Sequence, residues 1–376
     1  MTVLVAGLLA VILAGLALEQ RRALRDRVKL THVVYVNGIR GKSTVTRLID
    51  AGLRAGGWKV FCKTTGTVPM TIGVDGVARP LVRRGRANIS EQLRTLHQAA
   101  EEGAQVLVLE CMAVDPALQN VTQHRMVRAD VGVITNVRLD HTAEMGGTLE
   151  EICDSLSNTI PRNGLLFTAD AEFFPQLSRN AAAVGCDARL AQMEEGLPEV
   201  DFPENIALAL AVCRQLGVEK AAALEGMRHY QRDPYALSLH RLRGGGIFVN
   251  AMSANDPQST ELVFRRLAAQ FGWRSGDVTL LINNRPDRGY RTEHMVMVAQ
   301  ALAPARVWLL GASQVSAARA IGRRVPQVEI RRFSRAEELP LDEVPAGQVV
   351  FAVGNVAGPG HQVMERVRKE AEVYVP

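Results

Sequence analysis

The run Val33-Val34-Tyr35-Val36-Asn37-Gly38-Ile39-Arg40-Gly41-Lys42-Ser43-Thr44 constrains this chain more than any other stretch. An apolar segment feeds a glycine-lysine-hydroxyl turn, and a helical pattern follows over 45–54. Glycines let the backbone turn tightly, so successive amide N–H groups converge on an anion. The helix N-terminus adds its positive end, Lys42 a mobile cation, and Ser43 a hydroxyl suited to a divalent cation. Such a turn holds the phosphates of a nucleotide. Valine stands at position 36, where the longer common pattern needs glycine, so this is the shorter G-x-x-G-K-S form. Taken alone, the loop also reads as a solvated turn between a strand and a helix.

The surrounding pattern favours the first reading. Strand-type runs at 32–37, 59–63, 106–109, 131–135 and 165–169 alternate with helical patterns near 44–55, 90–102, 148–159 and 204–216. This rhythm predicts a parallel sheet with helices on both faces, whose ligands bind beyond the carboxyl ends of the strands. Between Arg232-Asp233-Pro234 and Gly244-Gly245-Gly246 lies a junction. Beyond it the rhythm returns, with strands expected at 247–250, 278–283, 305–310 and 349–353 and helices near 258–270, 292–302 and 363–372. The expected organisation is α/β: an anchor at 1–20, a nucleotide-binding domain at 30–232 and a smaller α/β domain at 245–376. At 376 residues and 47% hydrophobic content the chain can fill both cores.

Residues 3–18 are uninterrupted Val, Leu, Ala, Ile and Gly, and Arg21, Arg22, Arg25, Arg27 and Lys29 follow. Sixteen apolar residues at about 1.5 Å each span roughly 24 Å, short but tolerable for a bilayer. A secretory signal carries its positive charge first, and this segment does not. The expectation is one uncleaved transmembrane helix with the downstream chain in the cytoplasm. The formal net charge is +5, and no basic run is interleaved with aromatics, so nucleic acid is not an expected partner. Five cysteines are scattered without metal-ligand spacing and read as buried thiols.

Several polar residues fall at expected strand ends. Glu110 follows the apolar run 106–109 and suits a metal-ligating acid; its plain alternative is a cap. Asn136, Asp140 and His141 follow the run 131–135, where a histidine either binds a metal or is satisfied by its own aspartate. Asn205 opens an apolar helix at 204–216; it either caps that helix or meets a nucleotide base, and spacing does not separate the two. Downstream, Asn255-Asp256-Pro257 suits an N-cap. Arg285, Asp287 and Arg288 make a clamp for carboxylate or phosphate. Gly354-Asn355 and Gly358-Pro359-Gly360-His361 close the set.

In combination these motifs resemble a known family. The loop 38–44, Thr64-Thr65-Gly66-Thr67, Glu110-Cys111-Met112, Thr135-Asn136 with Asp140-His141, and the stretch 203–211 occur in the order found in the Mur ligase superfamily. The run from Asn37 to Leu48, Glu110-Cys111-Met112-Ala113-Val114, Val249-Asn250 before Ala254-Asn255-Asp256, and Val353-Gly354-Asn355 resemble the poly-γ-glutamate synthase ligase subunit, the PgsB/CapB type. The resemblance implies a Mur-ligase-like central ATPase domain followed by a ligase domain, using ATP and Mg²⁺ to turn a carboxylate into an acyl phosphate that an amine displaces. It implies nucleotide contacts from Gly38, Arg40, Gly41, Lys42, Ser43, Thr44, Asn136 and Asn205. Ser43, Glu110 and His141 are the implied metal ligands, and Lys42, His141, Arg285, Asp287 and Arg288 the implied catalytic set. The implied partners are glutamate, a growing poly-γ-glutamate chain and small membrane subunits, with residues 3–18 in the bilayer. The chain departs from the family's pattern in two places. Many relatives carry a lysine about fifteen residues after the histidine, and none occurs between His141 and Ala169. Many also lack the apolar N-terminal segment and carry an extra N-terminal domain for a nucleotide-sugar substrate, which makes a growing polymer at the membrane the expected substrate. Two other readings remain, a folylpolyglutamate-synthase-like ligase and a membrane-bound ATPase that energises transport without ligation.

Overall fold

The computed structural model describes residues 2–66, 68–83, 85, 87–253, 256–285 and 291–374, with the side chains of 2–4, 6 and 291 left aside. Asn255, Asp287 and Arg288 therefore lie outside the described residues. The chain divides into two compact units, Met1–Asp233 and Pro234–Pro376.

In the first unit the elements run α1 (Thr2–Lys29), β1 (His32–Asn37), α2 (Lys42–Ala55), β2 (Val60–Thr64), β3 (Met70–Ile72), β4 (Ala78–Pro80), α3 (Ser90–Glu101), β5 (Val106–Glu110) and α4 (Pro116–Val121). They continue through β6 (Val131–Ile134), α5 (Thr142–Met145), α6 (Leu149–Ser157), β7 (Leu165–Thr168), α7 (Phe174–Ala182), β8 (Asp187–Leu190), α8 (Pro203–Gln215) and α9 (Lys220–Arg228). The sheet order is β4-β3-β2-β5-β1-β6-β7-β8, with every pairing parallel except the antiparallel β2–β3 and β3–β4. β1 lies between β5 and β6, and its Val33, Val34, Tyr35 and Val36 are fully buried, as expected of a parallel strand covered on both faces. Val45, Leu48, Ile49 and Leu53 of α2 share a core with α8, α9 and the Val34/Val36 side of β1. Leu96 and Ala99 of α3 pack with Tyr35, Phe61 and Leu107.

α1 is tied to α3 by its last turns: Asp26 bonds the Nδ1 of His97 at 2.8 Å, and Lys29 lies 3.3 Å from Glu101. Earlier in the helix Leu8, Leu9, Val11, Ile12, Leu13, Leu16 and Leu18 are exposed. Among the described residues no helix is long and apolar enough to cross a membrane, so the expected transmembrane helix is not found among them. After its apolar stretch α1 runs on through charged residues packed on α3.

The second unit holds β9 (Ser238–Arg241), β10 (Ile247–Asn250), α10 (Pro257–Phe271), β11 (Val278–Asn284), α11 (Arg291–Leu302) and β12 (Arg306–Gly311). It ends with α12 (Gln314–Arg324), β13 (Glu329–Arg332), β14 (Val349–Gly354), α13 (Pro359–Glu370) and β15 (Glu372–Val373). Its order is β13-β12-β11-β14-β10-β9-β15, with β9 and β15 antiparallel at one edge. Phe248, Leu281, Trp308, Val350 and Ala352 pack against Val363, Met364 and Val367 of α13. The central strands of both units lie where the alternation predicts them. The unpredicted strands (β3, β4, β8, β9, β13 and β15) are short and near sheet edges, where exposed polar residues blur the strand signal.

Candidate active site

The phosphate loop is shaped by two glycines that no other residue replaces without strain. Gly38 has φ +124°, and a Cβ there would meet the Thr135 hydroxyl at 2.1 Å. Gly41 has φ +79°, heads α2, and a Cβ would come 2.9 Å from Asn205 Oδ1. The end of β6 then braces the loop. The Thr135 hydroxyl donates to Arg40 O at 2.6 Å and Asn136 Nδ2 to the same oxygen at 3.1 Å. In return, Arg40 N–H donates to Asn136 Oδ1 at 3.0 Å and Ile39 N–H to Asn136 O at 3.2 Å. Both ends of the Asn136 amide are therefore bonded to the loop backbone itself.

Lys42 opens α2, and its ammonium donates to Gly38 O at 2.7 Å and Ile39 O at 3.3 Å, folded over the loop. Desolvation pushes its pKa below the usual lysine range, while the Glu110 charge pulls it back. Ser43 and Thr44 occupy the first turn of α2. The Ser43 hydroxyl donates to Glu110 Oε2 at 2.8 Å, and Thr65 N–H donates to the same oxygen at 2.6 Å. Glu110 is 3% exposed and ends β5 directly beside Val36. A hydroxyl paired with a buried carboxylate at a phosphate loop is a donor set that fits a hard, oxygen-seeking cation such as Mg²⁺.

Asp140 links the loop to His141. It pairs with the Arg40 guanidinium at 2.7 Å and accepts His141 N–H at 2.8 Å, with His141 Nε2 3.7 Å from its carboxylate. His141 itself sits at φ +53°. Among the described residues one trio has metal-sized spacing, Asp26, His97 and Glu101, and it lies on α1 and α3 rather than at the loop. Lys29 stands 3.7 Å from Asp26 and 3.3 Å from Glu101, and Arg22 bonds His97, so an ion-pair network accounts for this trio.

Asn205 does not cap α8. The N-cap is Phe202, and Asn205 lies in the first helical turn with Oδ1 close to Gly41. Its Nδ2 donates to Asp201 at 2.7 Å, and Asp201 also receives the Tyr230 hydroxyl at 3.2 Å. Burial pushes the Asp201 carboxyl upward. Sequence reasoning missed Asp201, although it stands only four residues before Asn205. It also missed Lys63, a fully buried lysine on β2 bonded to Gln92 at 3.0 Å and paired with Glu91 at 3.4 Å. Burial lowers the Lys63 pKa to about 8. Gln92 in turn donates to Glu110 O at 3.0 Å, so this cluster buttresses the acid from behind.

In the second unit a small pocket at the carboxyl ends of β11 and β14 is lined by Asn283, Asn284, Arg285, Met295, Gly354 and Asn355. Asn283 is 1% exposed, and its Nδ2 donates to the carbonyls of Asn355 and Ala357. Its Oδ1 accepts no hydrogen bond among the described residues. Asp256 caps α10 through Ser259 N–H at 2.8 Å, the plain reading of that motif.

Two family patterns match the chain: the Mur ligase middle domain over residues 36–196 and the poly-gamma-glutamate synthase CapB C-terminal domain over 237–370. The capsule biosynthesis protein CapB of Bacillus anthracis is 32% identical over 390 residues, covering 98% of this chain and 83% of that protein. The PGA synthase CapB of Bacillus subtilis (strain 168) is 34% identical over 380 residues, covering 96% of each.

The chain belongs to the CapB family.

The CapB fold is also that of folylpolyglutamate synthases. The bifunctional folylpolyglutamate synthase/dihydrofolate synthase of Yersinia pestis, solved with AMPPNP and a Mn ion, superposes with a TM-score of 0.71 at 19% identity, covering 93% of this chain and 92% of that one. The Mycobacterium tuberculosis folylpolyglutamate synthase with ADP gives 0.68 at 14% identity, covering 92% of each. In this CapB-family chain the structure gathers Gly38, Arg40, Gly41, Lys42, Ser43, Asn136, Asp140, Asn205 and Glu110 around one loop. Arg285 belongs to the pocket of the other unit.

Proposed function

We propose that this chain is an ATP-dependent amide ligase that extends a poly-γ-glutamate chain. Family membership supports the reaction class. The observation that carries the local chemistry is the Ser43 hydroxyl on the buried Glu110 carboxylate, at the mouth of a loop that already holds Lys42. The backbone amides opening α2 receive the ATP phosphates. Lys42 exchanges its bonds to Gly38 and Ile39 for phosphate oxygens, placing its charge where negative charge develops. Ser43 and Glu110 are the residues that would hold Mg²⁺, which when bound neutralises phosphate charge. Asn205, fixed by Asp201, faces the nucleotide across Gly41.

The polymer's terminal carboxylate attacks the γ-phosphorus and ADP leaves. The glutamate amine then attacks the acyl carbon, an amide forms and phosphate departs. Arg285, Asp287 and Arg288 orient the acyl phosphate and the incoming amine, the arginines meeting its negative oxygens and the aspartate the amine. Water must be kept from the acyl phosphate while it waits. The exposed apolar side chains of α1, followed by Arg21, Arg22 and Arg25, attach the enzyme to the cytoplasmic face of the cell membrane beside small membrane subunits.

The test is phosphate release from ATP and Mg²⁺ in membranes carrying this chain, with amino acids added singly and γ-linked product assayed in parallel. Glutamate-dependent release matched by new polymer is the expected result. Lys42-dependent hydrolysis that ignores every amino acid would identify a transport ATPase instead.

A further inference from the structure

Residues 311–335, from the end of β12 through α12 and β13, contain six arginines and one glutamate. This net charge of +5 equals the formal net charge of the entire chain. Arg319, Arg323, Arg324, Arg331, Arg332 and Arg335 are all exposed. β13 is the edge strand of its sheet, paired with β12 alone, and α12 packs beside it.

Two ordinary causes account for part of this. Arg323 and Arg324 complete the last turn of α12, where cations suit the helix dipole. Charge on an edge strand also discourages pairing with another chain. Neither cause requires one sign of charge over the whole edge. Arg319 and Arg323 stand four residues apart on one helix face, where like charges repel. Arg324, Arg331 and Arg335 have acids at 2.5, 2.7 and 3.1 Å. Among the described residues no acid lies within ion-pair distance of Arg319, Arg323 or Arg332.

The edge is also placed for use. β13 runs parallel to β12, which runs parallel to β11, so Arg332 and Arg335 lie toward the same strand ends as Asn283, Asn284 and Arg285. Ala312 N–H donates to Asn284 O at 2.9 Å, joining the start of this segment to that rim. α12 descends from the rim, so the arginines follow the edge along the length of the helix.

We propose that this arginine edge is a docking track for a polycarboxylate, the growing product itself, retained between successive additions. The proposal rests on the poly-γ-glutamate reading above. Guanidinium forks match carboxylate geometry, and many weak exposed pairs hold a polymer firmly while each contact exchanges quickly. Nucleic acid fits less well, because Phe333, the segment's one aromatic, packs edge-on against Trp308 at 5.8 Å rather than offering a stacking face. A lipid surface lacks an apolar foothold here, since Val315 is the one exposed large hydrophobic of the segment.

The test uses the full chain with Arg319→Gln, Arg323→Gln and Arg332→Gln combined, beside the corresponding triple Arg→Lys variant. Binding of labelled poly-γ-glutamate of defined length, followed by anisotropy, should weaken about tenfold in the glutamine variant and recover largely with lysine. Raised salt should weaken wild-type binding, and the glutamine variant should make shorter polymer at unchanged initial ATP turnover. On the wild-type chain, added polymer should protect these three arginines from phenylglyoxal, and a neutral polymer should not. A folded glutamine variant that binds and elongates like wild type overturns the track. So does absence of protection, or a variant that loses only anionic vesicles or only oligonucleotide. The two readings fail separately: a wild-type chain that forms no γ-linked amide sinks the ligase, whereas normal elongation by the glutamine variant sinks the track.

Discussion

Both units place polar residues at the carboxyl ends of parallel strands, yet they finish those ends differently. At the phosphate loop the chain satisfies itself: Thr135 and Asn136 hold Arg40, Ser43 and Thr65 hold Glu110, and Lys42 rests on loop carbonyls. At β11 and β14 the buried Asn283 keeps one amide oxygen without a donor among the described residues, beside a pocket lined by Arg285. Under the proposed function the contrast follows from what each end has to do. A phosphate has one shape, so the loop backbone can be fixed for it in advance, leaving side chains such as Lys42 to exchange partners when the ligand arrives. A site that handles a changing set of carboxylates and amines is better served by hydrogen-bonding capacity left in reserve.

The largest expected effect tests the fixed end. Lys42→Ala should lower ATP turnover about a thousandfold with little change in melting temperature, because the lysine braces nothing but its own loop. Phosphate release and thermal denaturation measure the two halves. If turnover survives, the loop is not where phosphate charge is met. Arg285→Ala tests the other end and should reduce amide formation about a hundredfold while nucleotide binding persists. Equal loss of both would mean that the two ends do not divide the work as proposed.

Asn283→Ala sharpens the comparison through stability. It removes the donor from the carbonyls of Asn355 and Ala357 and should cost about 1–3 kcal/mol, read by urea denaturation. A neutral result would show that the Asn283 amide braces nothing.

The smallest effect concerns Asp50, on α2 below the loop. Burial raises its carboxyl from 3.8 to about 6, with Arg54 opposing the shift. The folded state therefore holds this proton more tightly than the unfolded chain. The resulting stability is fully present below pH 3.8 and is lost as pH rises through about 6. Denaturation of wild type and Asp50→Asn from pH 4 to 7 should show wild type losing about 1 kcal/mol or more relative to the variant. Parallel curves would refute the raised carboxyl.

What the sequence by itself determined is local and periodic. A strand buried on both faces, a turn with glycines at 38 and 41, and a helix with apolar residues three and four apart are each written within a dozen positions. Strand β1 and helix α2 therefore stand where spacing predicts them, and so do the central strands β5, β6, β11 and β14. Only the tertiary structure decided what the singled-out polar residues touch. Asn136 and Arg40 are 96 positions apart, and Arg40 and Asp140 are 100. No local pattern distinguishes an asparagine that grips a loop from one that awaits a ligand. The same holds for Lys63, hidden in an apolar strand until Glu91 and Gln92 arrive from α3. The first helix is the reverse case: its apolar run was plain in the sequence, while its docking on α3 depended on Asp26 meeting His97, 71 positions away. Periodicity sets which face of an element is buried. Hydrogen bonds between distant segments form only once the sheet has brought the strand ends together, and they set the chemistry.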